Sequence, residues 1–166
     1  MYRDYYCPQK DGQPILFWRE KVNNNHDHQA MQDQAQSELA SVFEKMPNEI
    51  SLILITSTTK NEQFNDAARQ IIRSIRTFTS KVTLKEFDIT HDIAKKYNVE
   101  FTPTILFEPD NYNIRWLGAP LGEEGRIFVE ALIMLGYKMV QLSEASQKVL
   151  DKIESKRDMK VFISPT

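Results

Sequence analysis

The run Ile50-Ser51-Leu52-Ile53-Leu54-Ile55 is β-branched and leucine-rich almost throughout, and it breaks at once into Thr56-Ser57-Thr58-Thr59. A strand with water on one face alternates apolar and polar side chains, whereas this one is apolar on both sides except for Ser51. It predicts a central strand of a parallel or mixed sheet with a layer packed on each face. Helical periodicity flanks it. Met31, Ala35, Leu39, Val42, Phe43 and Met46 recur at three- and four-residue steps from about Asp27 until Pro47 stops the helix. Ala67, Ala68, Ile71, Ile72, Ile75 and Phe78 form a second apolar stripe, with Thr59 or Asn61 as its cap.

Val82 to Ile89 alternates as a short strand, and strand, helix, strand is a crossover unit. His91 to Tyr97 reads as a short helix capped by Asn98. Phe101-Thr102-Pro103 then turns into a strand, Thr104 to Phe107, which pairs across Glu108-Pro109-Asp110-Asn111 with Ile114 to Leu117. After Gly118-Ala119-Pro120-Leu121-Gly122, Ile127, Phe128, Ala131, Leu132 and Leu135 line a helix that ends at Gly136. The order βαβ, short helix, ββα is the core of the thioredoxin fold, an α/β sandwich whose mixed sheet carries helices on both faces.

With 166 residues, 41% of them hydrophobic, the chain suffices for one domain with a core plus appendages. Its 21 Lys and Arg against 23 Asp and Glu leave a net charge of −2, which argues against a nucleic-acid partner or an anionic membrane surface. No apolar run approaches the roughly 20 residues that span a bilayer, and the first residues, Met1 to Tyr6, form no signal peptide, so a cytoplasmic location is expected. One cysteine, Cys7, makes neither an internal disulfide nor a thiolate zinc site.

Residues 1–26 read as an irregular arm with a short strand at Ile15-Leu16-Phe17-Trp18, and residues 27–141 as the thioredoxin-like domain. Residues 142–166 read as a linking helix from Ser143 to about Lys156, followed by a strand from Met159 to Thr166. Leu52 to Thr58 and Lys160 to Thr166 share one pattern, an apolar strand that ends in a hydroxyl-rich turn. The second is expected to open another copy of the same unit, which would make the chain a fragment of a longer protein.

The Thr102-Pro103-Thr104 turn, the Gly118-Ala119-Pro120-Leu121-Gly122 turn and the terminal Phe162-Ile163-Ser164-Pro165-Thr166, set in this element order, resemble tandem thioredoxin-fold proteins. Such proteins include the archaeal protein disulfide oxidoreductases and the N-terminal domain of the alkyl hydroperoxide reductase flavoprotein subunit. Thioredoxin-reductase-like flavoproteins with a fused glutaredoxin-like region are related. The resemblance covers roughly residues 27–166 and implies that a Cys-x-x-Cys follows the Ser-Pro-Thr turn. It also implies that Pro103 is the cis proline beside the active turn. The corresponding turn here, Thr58 to Phe64, places Lys60 and Gln63, next to Thr59, where the family's redox cysteines stand. It is therefore a vestigial active-site turn, and no residue is assigned a catalytic role.

The resemblance implies a redox-silent first domain of a thiol-disulfide oxidoreductase, partnered by a second thioredoxin-like unit of the same chain. A flavin reductase domain and a protein disulfide substrate are further expected partners. No cofactor is expected within these residues, with FAD and NAD(P)H belonging to the parent protein. The alternative is a non-catalytic thioredoxin-fold interaction domain, and a downstream Cys-x-x-Cys separates the two. Other features read as structural. His26, Asp27 and His28 suit a helix cap better than a metal site, because no further ligands stand nearby. His91 also starts a helix, with no nucleophile to activate. Cys7 reads as a free thiol, and the glycines from Gly118 to Gly125 lack the phosphate-binding fingerprint.

Overall fold

The structure is a computed structural model that describes residues 28–139 and 142–163. The arm at 1–26 with its Ile15–Trp18 strand, the Asp27 cap, Cys7 and the Ser164-Pro165-Thr166 turn lie outside the described residues. The chain divides into compact units at Ala35 and Gln36; of the first, only the opening of a helix is described. The elements are α1 (His28–Glu44), β1 (Ile50–Thr56), α2 (Glu62–Phe78), β2 (Val82–Asp88), α3 (Asp92–Lys96), β3 (Thr104–Phe107), β4 (Ile114–Leu117), α4 (Glu123–Tyr137) and α5 (Glu144–Leu150).

The sheet runs β2-β1-β3-β4, with β1 parallel to β2 and antiparallel to β3, and β3 antiparallel to β4. This is the mixed sheet expected from the apolar run, and β1 lies inside it. Register sorts the side chains. Ile50, Leu52 and Leu54 share one face with Val82, Ile105 and Phe107, and they pack on Ala68, Ile72 and Ile75 of α2, Phe128 and Leu132 of α4, and Phe43 and Met46 at the end of α1. Phe128 is the hinge of this layer, 5.3 Å from the Phe107 ring and 5.6 Å, edge-on, from Trp116. The opposite face is thinner: Ile53, Ile55 and Leu106 are covered by Ala94 of α3 and by Phe87, Ile89, Ile93, Tyr97 and Val99.

Several expectations need correction. Gly136 does not end α4 but lies buried one residue before its last, and Lys138, in the left-handed region at φ 52°, closes the helix. The glycine is needed for close approach: a Cβ there would stand 1.9 Å from Met46 Sδ. Helix α5 starts as expected, with the Ser143 hydroxyl accepting from Ser146 N–H, but stops at Leu150 and not near Lys156. Short helices owe their stability to packing an apolar face, and α5 buries none of its residues. Met159 to Ile163 form no strand, although Phe162 is 90% exposed. A strand exists only when its main-chain groups have a paired neighbour, and none of the sheet's strands takes this segment.

Candidate functional site

Strand β1 delivers its C-terminal end into the turn Ser57 to Asn61, and α2 leaves from it. Thr59 closes the first part of the turn: its N–H donates to Ser57 Oγ at 3.2 Å, and the two hydroxyls also lie 3.2 Å apart. Thr59, Lys60 and Gln63 are all exposed there. Asn61 stands at the N-cap position but not in the capping role expected of it. It is left-handed at φ 55°, and its side chain accepts nothing from the helix. Instead its Nδ2 crosses to the neighbouring segment and donates to Thr102 O at 2.7 Å. Asparagine tolerates this backbone region better than most residues, which leaves its amide free for a long-range bond.

That neighbouring segment carries the Thr102-Pro103 peptide bond, which is cis as the resemblance implied. Its carbonyls are all engaged. Phe101 O accepts from the Thr104 hydroxyl at 2.7 Å, Thr102 O from Asn61, and Pro103 O from Gly118 N–H at 2.9 Å. The fold thus brings together the turn after β1, the cis-proline segment and the glycine turn after β4. Phe64 and Phe101 flank them in exposed positions.

Sequence reading missed two supports of this turn. Asn65 is 1% exposed, and its Nδ2 donates to Ser57 O and Lys60 O, both at 2.8 Å, so one amide pins both ends of the turn. The signal was available: Asn65 occupies the first position of the buried stripe Asn65, Ala68, Ile72, Ile75 on α2, where a polar side chain needs partners. The second support is an ion-pair cluster. Arg69 Nε donates to Glu86 Oε1 and Oε2 at 2.9 and 3.0 Å, Arg69 also pairs with Asp66, and the Thr56 hydroxyl donates to Glu86 at 3.2 Å. The hydrogen bond from Arg69 holds Glu86 below the ordinary glutamate range and raises Arg69 in turn. This carboxylate ties α2 to β1 and β2.

His91 is the N-cap of α3, its Nδ1 accepting from Ile93 N–H at 3.1 Å, with its ring against Phe87. Among the described residues no group of three or more His, Cys, Asp or Glu side chains is arranged to hold a metal ion. None of their helices is long and apolar enough to cross a membrane. The exposed groups of the turn are hydroxyls, amides and the Lys60 ammonium. Thiol-disulfide exchange requires a thiolate, so this turn cannot perform it.

Neither a family model nor a curated protein matches the chain. Solved structures do. A protein disulfide oxidoreductase from Aeropyrum pernix K1 superposes with a TM-score of 0.62 at 22% identity, over 75% of this chain and 56% of its own. The N-terminal N/C domain of the alkyl hydroperoxide reductase AhpF from Enterococcus faecalis V583 gives 0.58 at 21% identity, over 70% of this chain and 57% of its own. The C503A mutant of that AhpF subunit gives 0.59 at 21% identity with the same coverages. The fold is thioredoxin-like. With its mixed sheet and helices on both faces, this thioredoxin-like chain spans a little over half the length of each of those structures.

Proposed function

We propose that the chain is the redox-silent N-terminal thioredoxin-like domain of a thiol-disulfide oxidoreductase, in which a Cys-x-x-Cys of a second, downstream thioredoxin-like unit carries the chemistry. The observation that carries this reading is the turn itself: the position of a redox pair is held by Lys60 and Gln63, and Asn61 closes the turn onto the cis-proline segment. Support also comes from residues 142–163. They leave Leu142, Val149, Leu150, Ile153, Met159, Val161, Phe162 and Ile163 exposed, more apolar surface than a segment of this length usually gives to water.

In the parent protein the cysteine pair gives up two electrons and two protons and closes to a disulfide, while the partner protein's disulfide opens to two thiols. In the parent protein FAD and NAD(P)H would supply the two electrons that, with two protons, return the pair's disulfide to the dithiol. This reading assigns neither cofactor to residues of this chain. Gly118 and Gly122 sit at φ 100° and 57° to turn the chain into α4, and a Cβ on Gly125 would press Pro120 O at 3.3 Å, so the turn itself accounts for these glycines. A cytoplasmic location is part of the same reading.

The test is dithiothreitol-driven reduction of insulin by the 166-residue chain, by its Cys7→Ser variant and by the protein extended past Thr166. Turnover in the extended protein alone is expected. Comparable turnover in the 166-residue chain, abolished by Cys7→Ser, would overturn the proposal. An inert extended protein would also overturn it and leave the non-catalytic interaction domain.

A further inference from the structure

The two edges of the sheet differ in chemistry. Along β2 stand Thr83, Lys85, Glu86 and Asp88, and charged side chains on an edge strand discourage pairing with another chain. At the other edge β4 carries Ile114, Trp116 and Leu117, of which Ile114 and Leu117 are exposed. Its single charge does not guard it: the Arg115 guanidinium is turned back to Tyr97 O at 3.1 Å and Asn113 Oδ1 at 3.0 Å.

Register determines which main-chain groups this edge offers. Gly118 N–H donates to Pro103 O, a one-way bond because proline has no N–H, and Leu117 stands opposite Thr104, so the hydrogen-bonded positions of β3 and β4 fall at 103 with 118, 105 with 116, and 107 with 114. The amide and carbonyl groups of Arg115 and Leu117 therefore point away from β3, toward a side on which no strand pairs among the described residues.

We propose that the outer edge of β4 is a strand-addition site for an extended, uncharged segment of a partner polypeptide, pairing through the main chain of Arg115 and Leu117. Apolar side chains of that segment would lie beside Ile114 and Trp116 on one face and beside Leu117 on the other. The cis-proline segment does not compete, since the carbonyls of Phe101, Thr102 and Pro103 already have donors. A four-residue edge set against its own copy buries far less than the ~1,200 Å² at the lower end of stable protein pairs. An edge this short suits capture of a peptide, where main-chain hydrogen bonds supply the affinity.

The probe is a capped Thr-Val-Thr-Val-Thr peptide titrated into the ¹⁵N-labelled 166-residue chain. Shifts and slowed hydrogen exchange at the amides of Arg115 and Leu117, with β2 unchanged, are expected. Leu117→Pro, which removes one outward donor and leaves the bonds to β3, should weaken binding about tenfold. Leu117→Lys, a change confined to an exposed side chain, is the second variant should the first not fold. Absent shifts at millimolar peptide, or unchanged affinity in the variants, would overturn the site. Shifts of these amides with protein concentration alone would assign the edge to a second copy and overturn the peptide proposal.

Discussion

Asn61 Nδ2 donates to Thr102 O across 2.7 Å, and this bond fastens the turn after β1 to the cis-proline segment before β3. Two properties of one residue meet there: a left-handed backbone at φ 55° and a side-chain donor of the right length. Alanine lacks both advantages and glycine lacks only the donor. Asn61→Ala should therefore lose about 2 kcal/mol in urea unfolding, one part from the left-handed backbone and one from the bond. Asn61→Gly should lose about half as much. Equal losses in the two variants would show that the backbone conformation contributes nothing.

Below that bond, Asn65 holds Ser57 O and Lys60 O with a single amide group. Replacing the donors with a carboxylate aims negative oxygen at two carbonyl oxygens in a buried site. Asn65→Asp should cost about 2–4 kcal/mol at pH 7. Repulsion and burial raise the pKa of the introduced acid, so its penalty is full only above that raised value and shrinks as pH falls from there toward the ordinary aspartate value of about 3.9 and the acid gains a proton. The deficit relative to wild type should fall between pH 7 and pH 4. A deficit that grows in acid would contradict the placement of the Asn65 amide.

Much of the fold is legible in the sequence because it rests on local periodicity. The two-sided apolar run at Ile50 to Ile55 marks a central strand, and the stripe through Ala68, Ile72 and Ile75 marks the helix that covers it. What escaped sequence reading depends on neighbours distant along the chain. Asn61 looks like an ordinary cap until Thr102 is brought beside it, and Gly136 looks like a helix stop until Met46 is packed on it. Met159 to Ile163 have a strand's composition, yet composition supplies no partner, and pairing is what makes a strand.

The Met46 and Gly136 contact can be tested directly. Gly136→Ala inserts a methyl where Met46 Sδ and Cγ stand, 1.9 and 2.3 Å from the new carbon, and Met46 is 1% exposed. Overpacking of this kind costs about 1–3 kcal/mol, more than the better helix propensity of alanine returns. Met46→Ala alone should also destabilise, by leaving a cavity. In the double variant the methyl occupies part of that cavity, so the summed losses should exceed the double loss by at least about 1 kcal/mol. Additive losses, measured by circular dichroism in urea, would mean that the two positions do not press on each other.

The last prediction concerns pH. The Arg69 hydrogen bonds lower the pKa of Glu86 in the folded chain, so the folded state binds a proton there less readily than the unfolded chain does. The stability this provides is complete above the ordinary glutamate value of about 4.3 and disappears as pH falls through the lower folded value. Both side chains keep part of their surface in water, which limits the effect to about 1 kcal/mol at pH 7. Asp88, held low by the Thr90 N–H and hydroxyl, and Asp110, held low by the Tyr97 hydroxyl and the Lys96 ammonium, move in the same direction. A simple acid titration of stability therefore mixes three carboxylates. The difference between wild type and Glu86→Gln separates them, because the aspartates titrate alike in both proteins. That difference should be largest near neutral pH and close in acid; a difference that stays constant from pH 7 to pH 3 would remove the Arg69 and Glu86 pair from the account of what holds α2 against the sheet.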